Sequence, residues 1–386
     1  MGYLELEVDG QVHAFGDPES ELRARGRIRD PRAFRAGLLN GEVGLGEAFM
    51  AGWWEADDLV SVVRIAVRNM AAFDQGGGLL ATLGKAANRL LHRRRRNHVE
   101  GSRRNISQHY DLGNDFYRLW LDPTLAYSCA VFAAADQDLE SAQRAKFELI
   151  CQKLQLGPDD HLLEIGTGWG GFALHAAQTR GCRITTTTIS REQFEYARRL
   201  IQRAGLADRV DVRLEDYRHL QGQFDKAVSI EMFEAVGLAY YDTYFGAVDR
   251  LLKPGGRFLL QTITMNERRF PEYIRQSDWI QKYIFPGAEL ASVSQILASV
   301  GRCTTLNLHH LEDIGLHYAH TLRAWRAAFR GHLEEVRAQG FDETFIRMWD
   351  YYLAYCEGAF TERFIGDAQL LLTKADGGTA LFNEPW

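Results

Sequence analysis

A chain of 386 residues is long enough for two or three domains with a full-sized core, and its 46% hydrophobic and 25% charged residues suit an ordinary globular protein. A net charge of −6 gives no global attraction to nucleic acid or acidic lipid, so any such attraction has to be local. Five scattered cysteines (Cys129, Cys151, Cys182, Cys303 and Cys356) without a CxxC pair argue against a disulfide frame or a cysteine zinc site, and for reduced thiols in a cytosolic protein. The opening MGYLELEVDG is polar and alternating, which predicts neither a secretory signal nor an anchor, and Leu6 stands where a myristoylation signal needs Ser or Thr. No apolar run approaches the roughly 20 residues that span a bilayer.

Residues 1–75 read as a small α+β unit. Leu4–Val8 alternates like a strand, Asp9-Gly10 is a hairpin turn, and Gln11–Phe15 returns. Pro31–Leu39 and Asp58–Met70 have helical spacing, with Leu45–Trp54 between them. The apolar residues here, Trp53 and Trp54 included, form a core or line an acyl-chain groove. Gly76-Gly77-Gly78 opens a linker over residues 76–105. Its Leu79–Leu91 segment leads into His92-Arg93-Arg94-Arg95-Arg96, with Arg103 and Arg104 behind. Such a run is a solvated linker, a nucleic-acid contact, or a docking segment for an anionic membrane, where each basic residue contributes roughly 1 kcal/mol.

From residue 106 to the end, strand and helix patterns alternate as a doubly wound sheet requires. The predicted strands are His161–Ile165, Arg183–Ile189, Val210–Leu214, Lys226–Glu231, Arg257–Ile263, Thr304–His309 and Ala368–Thr373, with Lys253-Pro254-Gly255-Gly256 as the turn before the fifth. Met265–Leu290 is a polar and aromatic insertion at the carboxyl edge, where open α/β sheets bind ligands. His317–Phe364 reads as aromatic-rich helices covering that edge.

The most informative stretch is Leu162-Leu163-Glu164-Ile165-Gly166-Thr167-Gly168-Trp169-Gly170-Gly171. An apolar strand ends on an acid and enters glycines at alternate positions, and a helix from about Gly171 to Arg180 follows. Gly166, Gly168 and Gly171 also satisfy the dinucleotide pattern GxGxxG, so a nicotinamide enzyme competes with one that binds S-adenosylmethionine (SAM). The acid before the first glycine favours SAM, while Glu192 after the second strand would serve a dinucleotide ribose. Glu215-Asp216-Tyr217 places an acid and an aromatic for adenine at the third strand end. Ser229-Ile230-Glu231-Met232-Phe233-Glu234-Ala235-Val236-Gly237 sets two glutamates in an apolar stretch at the fourth.

The chain resembles the cyclopropane-fatty-acid synthases and the related mycolic acid cyclopropane synthases. The resemblance rests on His109–Leu112, Asn114–Tyr117, Leu121–Thr124, Tyr127-Ser128-Cys129-Ala130, Glu164–Gly170, Ser190–Gln193, Phe233-Glu234, Tyr283–Gly287, His317–Leu322, and Tyr352-Leu353 with Cys356 and Phe360. It covers residues 106–375 in order, and the preceding unit resembles the extra N-terminal domain of the phospholipid-acting members.

The resemblance implies a class I SAM-dependent methyltransferase fold, a seven-stranded doubly wound α/β sheet with a helical lid. It implies that a methyl group goes to a cis double bond of an acyl chain, and that the carbocation then loses a proton and closes a cyclopropane ring. SAM is expected over Gly166, Gly168 and Gly170 with Glu164, near Tyr127 and Ser128 at the methionine end. Thr188, Ser190 and Gln193 are expected at the ribose, and Asp216, Tyr217 and Arg218 at the adenine. The base is expected to be a bound bicarbonate held by Cys129 (backbone), Glu234, Ile263 (backbone) and Tyr318. Where the family often has a histidine for the same anion, this chain has Gln261. Glu234 facing an anion would have to act through a proton or a bridging tyrosine hydroxyl.

Tyr127, Phe132, Trp169, Phe233, Tyr318 and the Trp325–Tyr355 helices would supply electron-rich faces to the cation. Cys356 matches a position sometimes assigned as nucleophile, although methyl transfer to an alkene needs no covalent enzyme intermediate. Gln261 and Ala235, which departs from a common histidine, resemble the branch making methylene or methyl-branched products. Membrane phospholipids with unsaturated chains are the expected substrate. No metal and no nucleic-acid partner are expected, and a homodimer and a peripheral position on a membrane are. A small-molecule methyltransferase or a nucleic-acid-binding protein remain as alternatives.

Overall fold

The computed structural model describes residues 2–70 and 112–375. The basic linker and the His109-Tyr110-Asp111 motif lie outside the described residues.

The N-terminal unit carries strands β1 (Tyr3–Val8), β2 (Gln11–Gly16), β3 (Arg23–Ile28) and β4 (Trp54–Ala56) in the sheet order β2-β1-β3-β4. The predicted hairpin forms at Asp9-Gly10, both at positive φ. β3 escaped prediction because its sequence, RARGRI, is arginine at every second position and shows little apolar alternation. Helix α1 runs Arg32–Met50, past the predicted end at Leu39, and turns at Gly41, which sits at φ +56. Helix α2 (Leu59–Arg68) begins where Asp58 accepts hydrogen bonds from the amides of Val60 and Ser61.

The larger unit begins with α3 (Asn114–Arg118) and α4 (Leu139–Leu154). It continues β5 (His161–Ile165), α5 (Gly171–Arg180), β6 (Arg183–Thr188), α6 (Arg191–Arg203), β7 (Val210–Leu214), β8 (Phe224–Ile230), α7 (Tyr241–Leu251) and β9 (Leu252–Met265). Two short helices, α8 (Phe270–Tyr273) and α9 (Trp279–Tyr283), fill the insertion, and α10 (Val293–Cys303) and β10 (Leu306–Asp313) follow. The lid helices are α11 (Gly315–Gly331), α12 (Leu333–Ala338) and α13 (Glu343–Thr361), before the last strand, β11 (Ile365–Lys374).

All seven predicted strands occur, in the order β10-β11-β9-β8-β5-β6-β7. β11 is antiparallel to both neighbours, while β9, β8, β5, β6 and β7 pair in parallel. The parallel strands therefore end at one edge, and β11 begins there. Strand β9 starts earlier than predicted, and its Lys253–Gly256 turn is absorbed as an irregularity: Phe224 pairs with Leu252 but Lys226 with Arg257.

The N-terminal unit packs on the lid rather than standing apart. Arg347 of α13 donates to the carbonyls of Phe49 (2.6 Å) and Trp54 (2.9 Å). Glu47 accepts from Lys282 and from the Tyr283 hydroxyl, and Glu362 pairs with Arg64 and Arg68. Gly46 lies so close to Trp279 that an added Cβ would sit 2.5 Å from the indole, and Gly358 is similarly tight against Val63.

Candidate active site

A cavity of about 1360 Å³ runs from the carboxyl edge of the sheet, under the lid, to the N-terminal unit. At its sheet end lie Glu164, Gly166, Thr167, Gly168 and Trp169, followed by Thr188, Gln193, Asp216, Tyr217 and Arg218. Its middle is walled by Tyr127, Phe285, Tyr318, Tyr352, Cys356 and Phe360, and its far end by residues such as Leu4, Ile28, Phe34, Leu38 and Val62.

The glycine turn makes the sheet end. Gly166 stands at φ +102, and a Cβ there would meet Met232 at 2.9 Å. Gly168, at φ +51, would point a Cβ into open space within the cavity. A side chain would clash at Gly166, and at Gly168 it would be strained by the left-handed backbone and project into the cavity, so glycine at both leaves bare amides to a ligand. Glu164 is buried, and its Oε2 accepts from the Thr186 hydroxyl at 2.6 Å; burial pushes its carboxyl up to about 8, against the pull of that hydrogen bond. The Thr188 hydroxyl donates to Gln193 Oε1 at 3.0 Å. Arg218 grips Asp216 through two side-chain hydrogen bonds of 2.6 and 2.8 Å and lies over the Tyr217 ring. SAM therefore fits this end: backbone at Gly166 and Gly168, the Thr188–Gln193 pair, and the Asp216–Arg218 group would hold it, and when bound it supplies an electrophilic methyl on sulfonium.

Two expected contacts are corrected. Gly170 caps α5, and a Cβ there would sit 3.1 Å from Ala197; it faces helix α6, not the cavity. The Ser190 hydroxyl accepts from the Gln193 amide as the N-cap of α6, so it too serves the fold. Ser128 lines the cavity but accepts from Lys146 Nζ at 2.6 Å. Among the aromatics, Phe132 packs on His317 and His320, and Phe233 packs on Tyr241, Tyr244 and Phe245 behind the sheet edge. Neither faces the cavity. Tyr127 does, backed by Trp120 and Trp325 at ring distances of 5.3 and 5.4 Å, with its hydroxyl 3.0 Å from that of Tyr352. The Tyr318 ring stacks on Phe360 at 4.4 Å.

Beside this aromatic wall lies a cage of acids. Three of the expected anion-holding groups, Cys129, Gln261 and Tyr318, come together around Glu231, while Ile263 meets Glu234. Glu231 Oε1 accepts from the Cys129 amide and from Gln261 Nε2, both at 2.8 Å, and its Oε2 accepts from the Tyr318 hydroxyl at 2.6 Å. Gln369, opposite Gln261 in the β9–β11 register, donates to Gln261 Oε1 at 3.0 Å, which turns the Gln261 amide hydrogens toward Glu231. Glu234 is separate: its Oε1 accepts from the Ile263 amide at 2.6 Å and the Thr262 hydroxyl at 2.8 Å. Its Oε2 is buried with no hydrogen-bond partner among the described residues. Burial, then the Glu231 charge, pushes Glu234 up to about 7. The same two causes push Asp367, buried behind Gln261, well above the usual carboxylate range. Lys146, fully buried on α4, is the cation of the cluster; burial lowers its pKa and the Glu231 carboxylate is the strongest influence opposing that.

The expected bicarbonate does not fit this arrangement. The Cys129 amide, Gln261 and the Tyr318 hydroxyl point at Glu231, and the Ile263 amide points at Glu234, so the donors assigned to the anion are already engaged. Cys356 lines the cavity, but its apolar surroundings push the thiol far up, so it is held as a neutral thiol and not as a nucleophile. Sequence reading named the stretch holding Glu231 but placed the role on Glu234, and it missed Lys146, Asp367 and Gln369. A lysine on the apolar face of α4 was the available signal for Lys146. Asp367 and Gln369 had no signal, because they look like ordinary polar residues of a strand.

The sheet order, the glycine turn and the ligand cavity at the carboxyl edge define a class I SAM-dependent methyltransferase. The comparisons agree: residues 97–370 match the family described as mycolic acid cyclopropane synthetase, and the chain belongs to it. It is 41% identical over 354 residues to the cyclopropane-fatty-acyl-phospholipid synthase of Escherichia coli K12, covering 90% of this chain and 87% of that one. It is 37% identical over 384 residues to the tuberculostearic acid methyltransferase UfaA1 of Mycobacterium tuberculosis, covering 95% and 86%. Among solved structures, the mycolic acid cyclopropane synthase CmaA1 complexed with SAH and CTAB superposes with a TM-score of 0.65 at 30% identity, covering 70% of this chain and 98% of that one.

Proposed function

We propose that this enzyme adds a one-carbon unit from SAM to the cis double bond of an acyl chain in a membrane phospholipid, with a cyclopropane ring as the product. The observation that carries the reading is the continuous cavity, which joins the glycine turn to an apolar passage ending in the N-terminal unit. A passage of that kind accepts a long hydrocarbon and keeps water from a carbocation. Of the two relatives, one is named a cyclopropane-fatty-acyl-phospholipid synthase and the other a tuberculostearic acid methyltransferase, which supports a lipid acceptor.

The alkene is a weak nucleophile, so the chain's contribution is to orient it against the methyl and to offer aromatic faces to the cation that results. Tyr127, Phe285, Tyr318 and Phe360 line the cavity where that cation would form. A methylene or methyl-branched product follows from the same first step if the cation rearranges before losing its proton, and the likeness to the tuberculostearic acid methyltransferase favours keeping it as the second reading.

Access from a membrane is consistent with the exposed face of α1, where Phe34, Leu38 and Leu45 are 43%, 78% and 45% exposed. No helix among the described residues is long and apolar enough to cross a membrane. The basic linker would then hold the enzyme peripherally on anionic lipid, and a homodimer would present two such faces.

The test is incubation with SAM and vesicles of cis-monounsaturated phospholipid, followed by mass spectrometry and proton NMR of the acyl chains. Gain of one CH2 with cyclopropyl proton signals is expected; vinylidene signals would favour the methylene product. Unchanged lipid, with methyl transfer to small amines instead, would overturn the reading. Binding to duplex oligonucleotides but not to anionic vesicles would overturn the membrane assignment.

A further inference from the structure

Glu231 directly follows β8 at the carboxyl edge of the sheet. It stands at φ +49, a left-handed backbone that is strained for a non-glycine residue. Its carboxylate nevertheless collects a backbone amide, a glutamine amide and a phenol from three separate elements of the fold. Strain of this kind persists when surrounding structure over-determines it, and here three donors do so. Of the cage, Glu231 and Tyr318 line the cavity, while Cys129, Gln261, Lys146 and Asp367 stand behind them.

We propose that Glu231 is the general base of the reaction, a carboxylate built into the chain at the place where a bound bicarbonate would otherwise be held, so that this enzyme works without bicarbonate. The assignment rests on the methyl-transfer reading above. The carbon–sulfur pair of the donor leaves with sulfur as the alkene π pair forms the new carbon–carbon bond, and the neighbouring carbon becomes cationic. A carbon–hydrogen pair of the transferred methyl then closes the ring onto that carbon, and the proton goes to Glu231, directly or through the Tyr318 hydroxyl, which donates its own proton to Oε2 as it takes the new one. Charge balances: a sulfonium cation and a carboxylate are replaced by a neutral thioether and a carboxylic acid, and the proton is later lost to solvent.

The neighbours suit that role. Glu234 and Asp367 are driven toward their neutral forms, with the Glu231 charge among the causes, and buried Lys146 supplies the only lysine charge in the described cluster. Three donors from separate parts of the fold converge on the two carboxylate oxygens of Glu231. Gln261 completes the case: it donates to a carboxylate beside it and is oriented for that purpose by Gln369.

The closing experiment uses Glu231→Gly, which removes the carboxylate, relieves the left-handed strain, and leaves a space of about the size of a carboxylate between the three donors. Turnover is followed as lipid-dependent release of S-adenosylhomocysteine in degassed, bicarbonate-free buffer, then with added bicarbonate. The unsubstituted enzyme should keep its rate within about twofold in both. Glu231→Gly should lose about 10²–10⁴ in kcat without bicarbonate and regain at least about tenfold with it. Glu231→Gln, which keeps the volume, should be equally slow and not rescued. In parallel, carbon NMR of labelled bicarbonate should show broadening by Glu231→Gly and none by the unsubstituted chain, with circular dichroism confirming that both are folded. Bicarbonate dependence or bicarbonate binding by the unsubstituted enzyme, or full activity of Glu231→Gly in bicarbonate-free buffer, would overturn the assignment. Absence of lipid-dependent release from the unsubstituted enzyme would count against the substrate reading alone, and the NMR measurement would still decide on Glu231.

Discussion

The glycine turn after β5 and the acid cage after β8 occupy neighbouring positions on the same edge of one sheet, but they are assembled differently. The turn is local: Glu164 to Gly171 are consecutive, and backbone geometry at Gly166 and Gly168 shapes the surface offered to a ligand. The cage draws Cys129 from the loop before α4, Lys146 from α4, Glu231 from the end of β8, Gln261 from β9, Tyr318 from α11 and Asp367 with Gln369 from β11. A site made of backbone tolerates changes around it and is read directly from sequence. A site made of buried charges depends on every member, because each unpaired group in a low-dielectric interior is costly.

Four substitutions would break or sharpen that contrast. The largest effect is expected at Tyr318→Phe, which deletes one donor to Glu231 and the stacked phenol's route for a proton. We expect kcat to fall by about 10³ with SAM affinity unchanged within about twofold, measured by product release and by calorimetry. Equal losses in both would mean that the cage and the cofactor end are not separable.

Next is Glu164→Gln. Burial holds the Glu164 carboxyl at about 8, above its usual value of 4.5, so the folded chain binds the proton more tightly than the unfolded one. Its contribution is therefore fully present below the usual carboxylate range and is lost as pH rises toward about 8. With about 1.4 kcal/mol per unit of difference as the ceiling, the ligand-free protein should lose on the order of 3 kcal/mol across that window. Glutamine should flatten this slope in thermal unfolding curves recorded at several pH values; an unchanged slope would show that Glu164 is ionised in the fold.

A smaller effect is expected from Gly168→Ala. The left-handed backbone and a methyl group in the cofactor space should weaken SAM binding by about tenfold, while kcat at saturating SAM stays within about threefold. Binding by calorimetry checks this, and a fall in kcat without a fall in affinity would place the methyl donor elsewhere. The smallest is Arg347→Ala, which removes two hydrogen bonds joining the lid to the N-terminal unit. It should lower stability by about 1–2 kcal/mol in urea and leave turnover on short-chain lipid nearly unchanged. A collapse of turnover would show that the N-terminal unit holds the lid closed during catalysis.

Much of the fold was legible. Alternation of strand and helix patterns, with apolar strands ending in small or acidic residues, located all seven strands of the large sheet, and the hairpin at Asp9-Gly10 was read from its turn residues. Local chemistry also singled out Thr188, Gln193, Asp216 and Tyr217, which the structure brings together at the sheet end of the cavity. Errors arose where side chains serve the fold instead of the ligand: Gly170 and Ser190 sit within the right motif but face helix α6. Phe132 and Phe233 have the right chemistry but point away from the cavity, because the direction of a side chain from a loop or a short helical turn is set by packing partners distant in sequence.

By itself the sequence determined the strand positions, the glycine turn, the aromatic lid and the stretch containing both glutamates through periodicity, turn chemistry and motif spacing, all of which act between near neighbours, and the class followed from the family resemblance those motifs carry. Only the tertiary structure decided which glutamate meets the anion donors. That depends on β8 lying beside β9 so that Ile230 pairs with Gln261, on β11 placing Gln369 opposite Gln261, and on α11 lowering Tyr318 onto the same carboxylate. Hydrogen bonds over 2.6–2.8 Å are too short-ranged to be inferred from residues separated by 30 to 102 positions along the chain.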